Sequence, residues 1–131
     1  MIVVDTSAII AFLQEEPEAA RISQRVAEAA ECFISAVSVF ECRTVLHFRF
    51  AADPLRFERF LTGVGFVVVP FDERQGEAAF EAYRRFGKGS GSPARLNLAD
   101  CAAYALAKTL GMPLLFKGDD FTRTDIASAL A

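Results

Sequence analysis

Apolar residues along this chain fall into short runs whose period alternates between that of a strand and that of a helix. Residues 2–4, Ile-Val-Val, form a β-branched run that stops at Asp5, and an apolar run over 8–13 follows at once, which predicts a strand and then a helix. Pro17 suits the first turn of a second helix reaching about residue 30, and residues 32–34 predict a second short strand before Ser35. A long helical pattern fills 37–50. Asp53-Pro54 predicts the start of a helix to about residue 61, and after Gly63 and Gly65 the run 66–69 gives the clearest strand of the chain, closed by Pro70. Residues 72–85 are helical by pattern, and the alternating Gly, Ser and Lys of 87–92 predict a mobile loop. A last helix over 97–110 ends at Gly111 and Pro113, and 114–116 predict a strand that runs into Gly118-Asp119-Asp120-Phe121.

Strand and helix in alternation predict an α/β fold: a mainly parallel, short-stranded central sheet with helices on both faces and ligands at the carboxyl ends of the strands. There is no internal repeat and no linker. With 131 residues, 53% of them hydrophobic, the chain can bury one continuous core, so a single domain over 1–131 is expected. Its apolar runs fall far short of the roughly 20 residues that cross a bilayer, and the opening Met-Ile-Val-Val-Asp lacks the basic start of a secretory leader. A soluble, cytoplasmic protein with no membrane partner is expected. Cys32, Cys42 and Cys101 are an odd set in apolar surroundings with no Cys-x-x-Cys pair, which predicts reduced core thiols, no disulfide and no zinc site.

Candidate chemistry lies in the acids. Asp5 stands at the end of the first strand, where a sheet of this kind offers its crevice, and it is equally a good helix cap. Ser38-x-x-Glu41 has the spacing of a capping box, but on a helix Glu41 faces Val37 and Val45, a flank too apolar for a freely solvated carboxylate. Asp100 follows Asn97 by three residues, again a cap spacing, while Asn97, Asp100, Tyr104 and Lys108 make the only polar stripe of an otherwise apolar helix, which meets water or lines a cavity. Asp119 and Asp120 end the last strand, where a turn accounts for both and one could aim at the crevice of Asp5. Two acids at strand ends and two on first helical turns converge more simply as one cluster than as four separate caps. Carboxylates so clustered need a proton or a cation among them, and oxygen ligands with room for water suit Mg²⁺ or Mn²⁺.

His47 is the only histidine, so a ribonuclease mechanism using two imidazoles cannot be assembled. Neither Gly-x-Ser-x-Gly nor Gly-x-x-x-x-Gly-Lys-Ser/Thr occurs. A phosphate-accepting receiver domain also groups acids on a parallel sheet, but its mid-chain Asp would have to be Asp53, which precedes Pro54 outside any strand pattern. The formal charge of −3 argues against gripping nucleic acid with the whole surface. Arg84, Arg85, Lys88 and Arg95 lie in a stretch free of acids and are the candidate RNA contacts, or else part of a solvated loop. Phe40, Phe48, Phe50, Phe57 and Phe60 fit core packing at helical spacing first, and an exposed partner groove second.

Residues 2–8, 34–41, 96–101 and 114–121, in that order, resemble the PIN-domain family, and most closely its VapC-type toxins of bacterial toxin-antitoxin pairs. The resemblance spans nearly the whole chain. It implies a PIN fold, Mg²⁺- or Mn²⁺-dependent RNA cleavage leaving 5′-phosphate and 3′-hydroxyl ends, a homodimer and inhibition by a VapB-like antitoxin. Carried over by position, Asp5, Glu41, Asp100 and Asp119 match the family's acids, with Thr6, Ser7, Asn97 and Asp120 in support. Gly118 and the doubled acid leave Asp119 and Asp120 as alternatives for the fourth place, with Asp119 taken as nearer the strand end.

Overall fold

The computed structural model describes residues 1–130, so Ala131, the last residue of the expected domain, lies outside them. Its elements run β1 (Ile2–Val4), α1 (Thr6–Leu13), α2 (Ala19–Glu28), β2 (Cys32–Ser35), α3 (Ala36–Phe50), α4 (Pro54–Val64), β3 (Val67–Val69), α5 (Glu73–Phe86), α6 (Leu98–Leu110) and β4 (Leu114–Leu115). The four strands form one parallel sheet in the order β3-β2-β1-β4. Parallel neighbours must be joined by crossovers, and the helices supply them, covering both faces of the sheet.

Strand periodicity sorts the core. On β1, Ile2 and Val4 pack into the cluster built with α1 to α4, whereas Val3 between them packs with α5 and α6. All three are within 1% of full burial, because β1 lies inside the sheet with a helical layer on each side. Phe57 of α4 is 2% exposed and closes the first layer, a burial that stabilises by about 1.5–3 kcal/mol. In the second layer residues 101–107 of α6 are buried on every side, as a helix with almost no polar face should be.

Several expectations change in the folded chain. The run 66–69, so clear as a strand, becomes an edge: Val67 and Val68 are 38% and 45% exposed because β3 pairs only with β2. The expected loop at 87–92 is a tied turn. The Lys88 amide donates across it to the Leu96 carbonyl and the Leu96 amide to the Phe86 carbonyl, and Ser90 binds the Gly87 carbonyl through both its amide and its hydroxyl. A side chain at Gly87 would meet the Tyr83 carbonyl at 2.5 Å, so the chain turns there with almost no clearance. The phenylalanines divide: Phe57 is core and Phe60 stacks on Phe12 at 4.8 Å, but Phe40 and Phe48 are 69% and 83% exposed. Core packing therefore accounts for only part of that set. His47 is exposed and lies edge-on to Phe48 at 4.6 Å.

Cys32, Cys42 and Cys101 are buried free thiols, as expected. Among the described residues no helix is long and apolar enough to cross a membrane.

Candidate active site

Every strand points the same way, so all four carboxyl ends share one edge of the sheet, and the turns leaving β1, β2 and β4 are neighbours there. Asp5 leaves β1 at that edge. Its amide is held by the Leu115 carbonyl at 2.9 Å, and its Oδ2 accepts the Ser7 amide at 3.0 Å and the Ser7 hydroxyl at 2.6 Å. Asp5 is thus the cap of α1 and also, at 3% exposure, a carboxylate almost cut off from solvent. Among the described residues Oδ1 receives no hydrogen bond. Burial pushes the Asp5 carboxyl up to about 7, against the opposing bonds from Ser7 and with a further push from the charges of Asp100 and Glu41.

Glu41 reaches the same place from α3. Its capping explanation falls away: Ser35 caps the helix through Val37, so Ser38 is already inside it, fully buried with an Oγ that has no partner among the described residues. Glu41 then sits one and a half turns into α3 with no hydrogen bond to its side chain among the described residues, sharing a helix face with Val45 and Arg49. For Asp100 the capping explanation holds. Asn97 Oδ1 accepts the Asp100 amide at 2.8 Å and Asp100 Oδ2 accepts the Asn97 amide at 3.0 Å. Only one Asp100 oxygen is used among the described residues, and burial raises this carboxyl to about 6; the charges of Asp120 and Glu41 push it further up, against the Asn97 amide and the Lys88 charge, which pull it down. A cap and a site residue are here the same side chain.

Asp5, Thr6, Ser7, Glu41, Asn97, Asp100 and Asp120 line one open cleft of about 430 Å³. The acid that enters it from the turn after β4 is Asp120, where the sequence favoured Asp119. Gly118 turns the chain at φ +95°, and Asp119 instead offers its carbonyl to the Thr122 amide and hydroxyl, at 3.1 and 2.7 Å, in the following turn. The turn continues into Phe121, which is buried in the second core layer at 2% exposure.

Thr6 is 7% exposed, with its hydroxyl toward the Ser38 carbonyl at 3.4 Å. Behind it the Cys42 thiol, pushed up to about 12 chiefly by burial, stays protonated and adds no charge. Val45 lines the cleft beside Glu41, and four further cleft residues carried no sequence signal that had been read: Ile10, Glu16, Arg49 and Lys117. Arg49 could have been found from its spacing, eight residues beyond Glu41 on one helix face. Lys117 could not, since its side chain reaches an acid a hundred residues away, pairing with Glu16 and, at 3.5 Å, with Glu18.

Among the described residues the expected RNA contacts divide into two engaged by acids and two that are not. Arg84 is engaged by Glu81 at 2.5 Å, and Arg85 lies over the Phe86 ring and 3.7 Å from Asp125. Lys88 is exposed and near enough to Asp100 to influence it, and Arg95 is exposed on left-handed backbone at φ +53°.

Among the described residues no three His, Cys, Asp or Glu side chains stand close enough to ligate one ion directly. The donor set nevertheless suits a hard divalent ion that keeps most of its waters and takes one or two carboxylates, because it is all oxygen and open to solvent. The buried, uncompensated Asp5 is the observation that asks for such an ion.

The PIN domain model matches residues 2–127. Ribonuclease VapC28 of Mycobacterium tuberculosis is 44% identical over 131 residues, covering 98% of this chain and 97% of that protein. Among solved structures, the Sarcin-Ricin loop cleaving toxin VapC20 of M. tuberculosis superposes with a TM-score of 0.78 at 16% identity, covering 97% of both chains. A toxin-antitoxin complex from Klebsiella pneumoniae aligns with a TM-score of 0.68 at 16% identity, covering 92% of this chain and 90% of that one. The chain belongs to the PIN-domain family, among its VapC proteins.

Proposed function

We propose that this chain is a divalent-metal-dependent endoribonuclease that acts as the toxin of a cytoplasmic toxin-antitoxin pair. One observation carries the reading: Asp5, Glu41, Asp100 and Asp120 come from four separate elements to line one cleft, and the most buried of them has no cation of its own. The ribonuclease names of relatives over 40% identical along the whole chain support the same chemistry.

Asp5, Asp100, Glu41 and Asp120 would hold one or two Mg²⁺ or Mn²⁺ ions. Bound there, such an ion supplies a water of lowered pKa and neutralises charge on the scissile phosphate and its leaving oxygen. Ser7 fixes which oxygen of Asp5 faces the cleft by occupying the other. Asn97 does the same for Asp100. Ile10 and Val45 form an apolar wall that keeps the carboxylates partly dry and so strengthens their charge interactions. The test is RNA cleavage with added Mn²⁺ or Mg²⁺, and with chelator. Cleavage should require the metal and should be lost in Asp5→Asn and Asp100→Asn; undiminished cleavage in both variants refutes the site.

An antitoxin similar to VapB is the proposed inhibitor. Its site is the apolar groove of about 400 Å³ lined by Phe40, Leu46, Phe48 and Phe57, where the exposed rings of Phe40 and Phe48 suit an amphipathic segment. A homodimer is proposed through the other exposed apolar face, Val68, Phe71, Phe80 and Leu98. The spread of the acids favours one other reading, a PIN scaffold that binds metal or RNA without cutting. Metal binding seen by calorimetry with no cleavage of any RNA would establish that reading instead.

A further inference from the structure

The acidic cleft also contains positive charge. Glu41, Val45 and Arg49 follow one another at four-residue spacing and all line it, so Arg49 stands about 12 Å along α3 from Glu41. Ser7 and Ile10 carry the opposite wall along α1, and Glu16 extends it past the end of that helix. The cleft thus runs between α1 and α3, from the acids at the sheet edge toward Arg49 and Glu16. Lys117 also lines it, tied at both ends: its backbone amide binds Ser7 Oγ at 3.0 Å and its Nζ pairs with Glu16 and Glu18.

We propose that Arg49 and Lys117 are the cations that hold the RNA strand in the cleft, Arg49 directly and Lys117 after a phosphate displaces Glu16 and Glu18. The inference rests on the ribonuclease reading. An acid-lined cleft repels a phosphate backbone, and a strand can lie there only against fixed positive charge. Among the described residues Arg49 makes no ion pair and no hydrogen bond, so its charge is free for a ligand. Lys117 is engaged, but by exposed or half-buried partners: the side chains of Lys117, Glu16 and Glu18 are 38%, 27% and 31% accessible. Pairs of this exposure contribute little stability and exchange readily.

Glu16 is delivered to the cleft by an unusual turn. Glu15 adopts left-handed backbone at φ +54° with no glycine, and the Glu16 amide then folds back on the Ala11 carbonyl at 2.9 Å. This conformation is strained in a residue with a side chain. Its effect is to place a carboxylate against Lys117, so that the cation stays paired until an anion arrives.

The test is binding of a fluorescently labelled single-stranded RNA to the full chain in chelator, followed across a salt series. Arg49→Gln and Lys117→Gln should each weaken binding several-fold and lower the slope of log Kd against log salt by about 0.7. Glu16→Gln should act in the opposite sense and tighten binding, which a merely structural ion pair would not do. Lys117→Arg should keep the affinity, and Arg84→Gln, outside the cleft, should change nothing. Because Arg49 has no partner to lose, its variant separates binding from folding. If the chain cuts RNA but Arg49→Gln and Lys117→Gln bind as tightly as wild type, or Glu16→Gln weakens binding or leaves it unchanged, the clamp is wrong and the ribonuclease reading stands. A wild-type chain that neither binds nor cuts RNA overturns both.

Discussion

Ser7 and Asp5 are joined twice on a single oxygen: the Ser7 amide and hydroxyl both donate to Asp5 Oδ2, at 3.0 and 2.6 Å, while the Lys117 amide donates to the same hydroxyl at 3.0 Å. The hydroxyl both accepts and donates, accepting from the turn after β4 and donating to the carboxylate after β1. It couples two strand ends and fixes how Asp5 faces the cleft.

Ser7→Ala removes a bond that lowers the Asp5 pKa, so the carboxylate becomes harder to ionise and loses its fixed orientation. Metal-dependent cleavage should fall by about tenfold or more. The acid limb of the pH-rate profile should also move to higher pH. Ser7→Thr should restore much of both.

Asp5 also sets a pH dependence of stability in the metal-free chain. Its folded pKa, about 7, lies above its ordinary 3.8, so the native state binds the extra proton between those values and stability falls as pH rises through that window. The loss approaches about 4 kcal/mol once the carboxylate is ionised in the folded state. Asn can still cap α1 but carries no charge. Urea unfolding in chelator from pH 5 to 8 should show a decline for wild type and a flatter, more stable profile for Asp5→Asn, and added Mg²⁺ should narrow the gap above pH 7.

Asp119 and Asp120 differ in what they face, and their variants should differ accordingly. Asp120→Asn removes a carboxylate from the cleft and a repulsion on Asp100, so cleavage should drop by about tenfold or more. Asp119→Asn leaves the backbone carbonyl bonds of the turn intact and should cut nearly as wild type. Equal loss in both, measured as metal-dependent turnover, would show that the turn reorganises around the ion.

Away from the cleft, the polar stripe expected on α6 divides. Tyr104 is 4% exposed and donates its hydroxyl to Asp125, which Lys108 also meets at 3.2 Å. Tyr104→Phe should cost about 1 kcal/mol and Asp125→Ala, which strands the buried hydroxyl, about 1–3 kcal/mol. Thermal unfolding measures both. Cleavage by Tyr104→Phe should be unchanged, since the hydroxyl serves packing of the C-terminal segment.

Much of the site was legible because its residues double as local signals. Asp5 and the pair Asn97 and Asp100 are helix caps by spacing, and a cap on a helix that directly follows a strand, as Asp5 does β1, sits at the carboxyl edge of the sheet. Glu41 was legible through its apolar flank: Val45 does line the cleft beside it, while Val37 packs into a separate hollow with Phe71 and Phe80. Lys117 and Glu16 gave no signal, because a pairing between the turn after β4 and the turn after α1 exists only once β1 and β4 are neighbours.

The chain's own pattern determined the order and kind of its elements, the parallel sheet and the acids at its edge, since hydrophobic period, turn residues and caps act over a few residues and can be seen in them. Tertiary packing alone decided that Asp120 rather than Asp119 enters the cleft, that β3 is an exposed edge, that Phe40 and Phe48 face outward, and that Arg49 and Lys117 line the cleft with the acids. Each of these depends on which distant segment arrives alongside. A one-residue change of aim in a turn costs too little locally to leave any mark on composition or spacing.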